Sequence, residues 1–306
     1  MRYLAGVLCA LALAACSAAN PPVPRGLTSQ PLWVVISLPD GGQARLESLL
    51  IRPDRPGRFP LAVLVHGTPA DSPADLAGPA IAFAHHGYAA VSILRRGFGR
   101  SDGPYLEAPA DPCEDTDYLQ VGLLSAQDVA GAVAALRQET WVDPDRVVLL
   151  GYSTGGFAAV AAGAGAMPGV AGIINFAGGR GAFEPDHVCG SDKLVSAYAA
   201  LGRSARTPEL WLYVQNDQAF VPALAHRMFT AYTADGAPAR LEILPPFGSN
   251  GHLLLVAGSA DLWWPSVARF LESLHLPTSP MAGSIPAPTT GDKDGRDSRR
   301  TLSDRR

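Results

Sequence analysis

Between residues 32 and 276 short apolar runs rich in β-branched residues alternate with longer alanine-rich stretches, whose apolar positions recur every three to four residues. Trp33–Leu38 and Glu47–Ile51 flank Asp40-Gly41-Gly42 and read as a hairpin. Leu61–Val65, Tyr88–Leu94, Arg146–Leu150, Val170–Phe176, Glu209–Val214 and Arg240–Leu244 read as strands. Ala74–His86, Val121–Arg137, Thr154–Ala164, Ser191–Leu201, Phe220–Ala234 and Ala260–Leu276 read as helices. Strands buried on both faces are apolar at nearly every position, which is the pattern here. An opening hairpin followed by repeated strand–helix alternation predicts an α/β fold, with a mostly parallel sheet and helices on both faces. Ligands of such sheets bind at the carboxyl ends of the strands. The loops after Val65, Leu94, Leu150, Phe176, Val214 and Leu244 are therefore where chemistry is expected.

The two ends break this pattern. Arg2 precedes Tyr3–Leu13, an apolar stretch of signal-peptide length and well short of the roughly 20 residues a spanning helix needs. Leu13-Ala14-Ala15-Cys16 resembles a bacterial lipobox, which implies a signal peptide over 1–15 and acylation of Cys16. Residues 16–31 are then a tether, kept extended by Pro21, Pro22 and Pro24. Ser17 after the cysteine resembles an outer-membrane address, so the expected location is the cell envelope, lipid-anchored at the outer membrane or the periplasmic face. Residues 277–306 are dominated by Pro, Thr, Ser and Gly and read as a disordered tail.

Composition narrows the classes. With 24 Lys and Arg against 28 Asp and Glu the chain carries −4, which argues against a nucleic-acid binder. A hydrophobic share of 47% with 17% charged residues describes a globular chain. The four cysteines form no CxxC pair, so neither a zinc module nor a disulfide scaffold is expected.

Gly151-Tyr152-Ser153-Thr154-Gly155 follows one strand without a gap, and a helix opens directly behind it. Small residues on both sides of Ser153 allow the sharp turn that lifts a serine hydroxyl above a sheet edge. Gly99-Arg100-Ser101-Asp102-Gly103 has the same spacing but lies several residues past its strand and is read as a loop. A serine needs a base. Of seven histidines, His252 sits in a Gly-rich loop after the last strand; His187, after an earlier strand, is the competitor. His85 and His86 end a helix at the opposite edge, and His66 reads as a structural hydrogen-bonder. The base needs an acid to hold its tautomer. Asp217 follows the strand Glu209–Val214, with Asp192 and a plain turn-capping role as the alternatives. An oxyanion needs two N–H donors. Thr154 follows the nucleophile, and Thr68 lies in His66-Gly67-Thr68-Pro69 after the strand Leu61–Val65; these are the candidates.

His66-Gly67, Arg96-Gly97-Phe98-Gly99-Arg100-Ser101-Asp102-Gly103, Gly151-Tyr152-Ser153-Thr154-Gly155-Gly156, Asn216-Asp217 and Gly251-His252 together resemble the α/β-hydrolase superfamily, in its dienelactone-hydrolase-like branch. The resemblance spans roughly residues 45–275. It implies an eight-stranded, mostly parallel sheet and a Ser-His-Asp hydrolase of Ser153, His252 and Asp217, without metal or organic cofactor. Dienelactone hydrolases carry Cys at the nucleophile and are cytoplasmic. Ser153 and the export signal depart from them, so a short-chain carboxylic ester is the expected small-molecule substrate. A peptidase of the prolyl-oligopeptidase type and a non-catalytic surface lipoprotein are the alternatives. The former usually carries a propeller, for which 32–276 has no room.

If Cys9 leaves with the signal and Cys16 is acylated, Cys113 and Cys189 remain, both in loops at the expected catalytic edge. An oxidising compartment predicts a disulfide between them. Asp102, Glu107, Asp111, Glu114, Asp115 and Asp117 make the first of these loops acidic, and it reads as a plain solvated loop, with a part of the substrate mouth that repels anionic substrates as the alternative.

Overall fold

The computed structural model describes residues 21–281 apart from 109, 111 and 166. The signal peptide, Cys16, the first tether residues and the tail beyond 281 lie outside the described residues. The strands are β1 (Leu27–Ser37), β2 (Gln43–Pro53), β3 (Phe59–Val65), β4 (Ala89–Ile93), β5 (Val142–Tyr152), β6 (Val170–Phe176), β7 (Ala182–Glu184), β8 (His187–Val188), β9 (Glu209–Val214) and β10 (Ala239–Leu244). The helices are α1 (Ala77–His85), α2 (Tyr118–Leu136), α3 (Thr154–Gly163), α4 (Ser191–Gly202), α5 (Pro222–Thr233), α6 (Leu254–Ala257) and α7 (Trp264–Ser273). Eight strands form one sheet in the order β1-β2-β4-β3-β5-β6-β9-β10. β1 and β2 are antiparallel to each other, β2 is antiparallel to β4, and all the remaining pairs are parallel. This is the mostly parallel sheet that the strand–helix alternation predicts, with the eight strands that the resemblance implies.

Every residue of β3, β4 and β9 is buried, which is why these strands read as apolar at nearly every position. Neighbouring residues of a strand point to opposite faces. In β6, Ile173 packs on Gly163 of α3, whereas the bare α-carbon of Gly172 admits Phe270 and Leu274 from α7 and the turn after it. α3 and α7 therefore cover opposite faces. α2 is long and apolar enough to cross a membrane by length and composition, but it packs against β1 and α3 inside the domain.

Besides shifts of a few residues at other element ends, the two ends of the domain and its last helix differ from the sequence reading. β1 begins at Leu27, so residues 27–31, assigned above to the tether, are strand and pair with Leu49–Pro53 of β2. β1 is the sheet edge, where Pro31 costs no ladder bond on its open side. The carboxyl end also runs past 276: the Met281 N–H donates to the His85 carbonyl, and Tyr88 donates to that of Pro277. The helix read over 260–276 is two pieces, a 3-10 turn at Ala260–Leu262 and α7 from Trp264. Pro265 lacks the N–H a continuous helix needs and its ring would crowd the preceding turn, so the helix restarts with the proline in its first turn.

One core group sets a pH dependence. Glu209, at the start of β9, is buried; Trp211 Nε1 donates to its Oε2 at 2.7 Å and Tyr232 to its Oε1 at 2.6 Å. Burial pushes its carboxyl up from an ordinary 4.5 to about 7. A folded-state value above the unfolded one favours folding fully below pH 4.5, and that advantage is lost as pH rises through about 7. The gap corresponds to about 3 kcal/mol. In Glu209→Gln the amide oxygen still accepts from Trp211 and the amide N–H donates to Tyr232, so this slope is removed. Urea unfolding at pH 5 and pH 8 checks it: the wild type is expected to lose stability relative to the variant by a few kcal/mol, and parallel losses would refute the assignment.

Candidate active site

Ser153 stands between β5 and α3 with φ 55° and ψ −122°, a strained conformation for an L-residue. Its neighbours hold it there. The Ser153 N–H donates to the Phe176 carbonyl at 3.0 Å, and its own carbonyl accepts from Gly156 at 2.9 Å and Gly179 at 3.2 Å. The small residues flanking the serine are required by space: a Cβ at Gly151 would lie 2.1 Å from the Gly155 oxygen, and one at Gly155 would lie 2.3 Å from the Val65 and His66 oxygens. The turn closes only because backbone passes backbone.

Asp217 and His252 reach this serine from the loops after β9 and β10. Asp217 is buried, and its Oδ1 accepts from the Ala219 and Phe220 N–H groups, both at 2.8 Å. Its Oδ2 lies 3.1 Å from His252 Nδ1. That acceptor keeps the Nδ1 proton in place and leaves the Nε2 lone pair facing Ser153 Oγ, also at 3.1 Å. The His252 backbone is itself fixed. Its N–H donates to Asn250 Oδ1 at 3.0 Å, its carbonyl accepts from the Tyr152 hydroxyl at 3.1 Å, and its ring packs between Tyr152 and Phe220. Asn216 joins the two loops, accepting from the Phe247 N–H at 2.9 Å and donating to the Gly248 carbonyl at 3.1 Å.

The alternatives weighed in the sequence lie elsewhere. Ser101 donates to the Leu94 carbonyl and accepts from the Glu47 N–H. Asp192 is exposed and paired with Arg227, and His187 is exposed on β8. His66 is buried, accepts from the Arg95 N–H at Nε2 (3.0 Å) and meets the Gly67 carbonyl through Nδ1 (2.6 Å). Burial, and then the Arg95 charge, hold its pKa well below the ordinary histidine value, so it is a neutral structural ring.

Thr154 is the first residue of α3, where backbone N–H groups have no acceptor within the helix. Its hydroxyl shares a 2.9 Å hydrogen bond with that of Thr68, which brings the loop after β3 against the start of α3. Cys113 and Cys189 are disulfide-bonded, joining the loop after β4 to the loop after β6. Glu114 lies beside them, but bonded sulfurs offer no thiolate to a metal ion.

The acidic loop differs from its sequence reading. Glu107 is buried, not solvated: its carboxylate meets Arg95 Nε at 2.5 Å, Arg95 Nη2 at 3.0 Å and Arg180 Nη1 at 2.9 Å. Burial alone would raise its pKa; the two guanidinium groups outweigh that and hold it at about 2. Asp102 pairs with Arg45, and Asp117 caps α2 by accepting from the Gln120 N–H. The roles of Arg95, Glu107 and Arg180 were missed in the sequence. The one local signal was Arg95-Arg96 set directly after a strand that is apolar but for Ser92.

The chain belongs to the alpha/beta hydrolase family, whose model matches residues 62–288. No curated protein matches it. Among solved structures it is similar to an esterase from Pyrococcus furiosus, with 14% identity over 83% of this chain and 97% of that one and a TM-score of 0.58. It is also similar to a dienelactone hydrolase-like promiscuous phosphotriesterase from metagenomic libraries, at 15% identity over 72% and 82% of the two chains and a TM-score of 0.52. An acylaminoacyl peptidase from Pyrococcus horikoshii aligns at 19% identity over 83% of this chain and 43% of that one, with a TM-score of 0.56. Identities this low establish the shared fold alone.

Proposed function

We propose that the protein is a serine esterase that cleaves short-chain carboxylic esters through an acyl-enzyme on Ser153. The observation that carries this reading is the line from Ser153 Oγ through His252 to Asp217, 3.1 Å at each step. His252 Nε2 takes the hydroxyl proton as Ser153 Oγ attacks the carbonyl carbon, and Asp217 stabilises the resulting imidazolium. The oxyanion is received by the N–H groups of Thr154 and Thr68. When the C–O bond breaks, the ring returns its proton to the departing alcohol. Water then attacks the acyl group, gives a proton to the same ring, and releases the acid with Ser153 restored. No step calls for a metal or an organic cofactor.

A fluorophosphonate probe tests the reading: Ser153 of the wild type should be labelled and Ser153→Ala should not. p-Nitrophenyl acetate and butyrate should be hydrolysed and peptide anilides left intact. A folded wild type that takes no label would overturn the assignment, and turnover of anilides alone would move it to a peptidase.

The same proposal places the enzyme in the cell envelope, held by acyl chains on Cys16. β1 runs parallel to β4, so Leu27 lies at the sheet edge opposite Ser153. By register Ser29 lies level with Val148, so Leu27 and Ser153 are about seven residues, roughly 23 Å, apart along the strands. Such an anchor turns the catalytic rim away from the bilayer, which supports a water-borne ester over a membrane lipid. The mass of the mature N-terminal peptide checks it: acylated Cys16 is expected, and an unmodified peptide beginning elsewhere would sink the anchor.

A further inference from the structure

We propose that Arg95, with Glu107 behind it, is a positioning residue that fixes the gap between the two halves of the oxyanion pocket. The inference rests on the esterase reading and deepens it. Arg95 is wholly buried, so no substrate touches it. Its bonds nevertheless reach both segments that would supply the oxyanion donors. Nη1 donates to the His66 carbonyl at 2.7 Å, and the Arg95 backbone N–H donates to His66 Nε2 at 3.0 Å, holding the loop that leads to Thr68. Nη2 donates to Thr154 Oγ1 at 3.2 Å, holding the first residue of α3. The Thr154–Thr68 hydroxyl bond closes the ring across the pocket.

The guanidinium cannot swing, because a planar fork bound bidentately by a carboxylate has one orientation. Glu107 provides that carboxylate, meeting Nε and Nη2, and is held in turn by Arg180 Nη1 from the loop after β6. Two guanidinium groups face one carboxylate, so the cluster keeps one net positive charge, with Arg95 Nη2 against the Thr154 hydroxyl. Fixed charge and fixed donors help most where negative charge develops, in the transition state and not in the bound ester. The signature of the clamp is therefore a loss in kcat with KM spared.

Thr154→Val tests it with least disturbance, since the backbone N–H, the side-chain shape and the buried ion pairs all remain. Arg95→Lys keeps the charge and removes the fork. Each is expected to lower kcat on p-nitrophenyl butyrate by about 10- to 100-fold, with KM within about twofold. Affinity for a phenylboronic acid, which mimics the tetrahedral adduct on Ser153, should fall by the same factor as kcat. Thr154→Ser, which keeps the hydroxyl, should restore both. Thr154→Val still decides the matter if Arg95→Lys fails to fold. Wild-type kcat and boronate affinity in Thr154→Val, or a defect confined to KM, overturns the clamp while leaving the esterase standing. A wild type inert toward esters and the fluorophosphonate overturns both.

Discussion

Replacing Ser153 with alanine is expected to lower kcat for ester hydrolysis by roughly 10⁴- to 10⁶-fold. His252 Nε2 lies 3.1 Å from one hydroxyl, that of Ser153, and without it the ring has no nucleophile poised at the carbonyl. The oxyanion donors stay, so a residual rate above that of water is expected to survive. His252→Gln should fall to about the same level, and the double variant no further, because the two side chains act as one unit. Asp217→Asn should cost about 10⁴-fold for a different reason. Asp217 Oδ1 is occupied by the Ala219 and Phe220 N–H groups, so the asparagine must put its oxygen there and turn its NH2 toward His252 Nδ1. That reverses the tautomer and places the proton on Nε2, where it blocks Ser153. Steady-state kinetics on p-nitrophenyl butyrate read all four variants. Additive losses in the double variant would show that Ser153 and His252 do not work together.

The turn-cap reading of Asp217 and the triad-acid role proposed for it are compatible in geometry. One carboxylate oxygen caps the turn and the other faces the histidine. This explains why the residue was legible. A side chain doing both must follow a strand and precede a helix, and the sequence Asn216-Asp217 after an apolar run has that form. Ser153 was legible for a similar reason: the close backbone approach at Gly151 and Gly155 leaves a local trace, because only glycine fits. His252 was found by topology, as the histidine in a loop at the correct edge.

What was not legible depended on long-range packing. Nothing near Glu107 distinguishes it from the neighbouring acids; its burial follows from Arg95 and Arg180, 12 and 73 residues away. Thr28, Ser29, Gln30 and Pro31 lack the apolar signature of a strand, because β1 is an edge whose first half is only partly covered. Pairing with β2 makes them strand, and a polar sequence does not record a partner that lies in the next segment. The small β7–β8 hairpin was missed on the same grounds, being three residues against two.

The Cys113–Cys189 bond should carry the largest single share of stability outside the core. It closes a loop with a sequence separation of 76, for which the chain-entropy estimate is about 4–5 kcal/mol, and native disulfides usually deliver about 2–5. Replacing both cysteines with alanine is therefore expected to cost about 2–4 kcal/mol in urea unfolding, with a Tm lower by about 5–15 °C. The loss should fall on stability more than on turnover at 25 °C. The two joined loops are also tied by the Arg180–Glu107 pair and by the Tyr118 hydroxyl donating to the Cys189 carbonyl. These bonds orient the loops in the folded state. The disulfide acts chiefly on the unfolded chain, by limiting how far it expands. A kcat within a few-fold of wild type together with a lowered urea midpoint would fit this division of labour. An unchanged midpoint, with the sulfurs shown to be bonded in the wild type, would mean that the unfolded chain already holds these loops together.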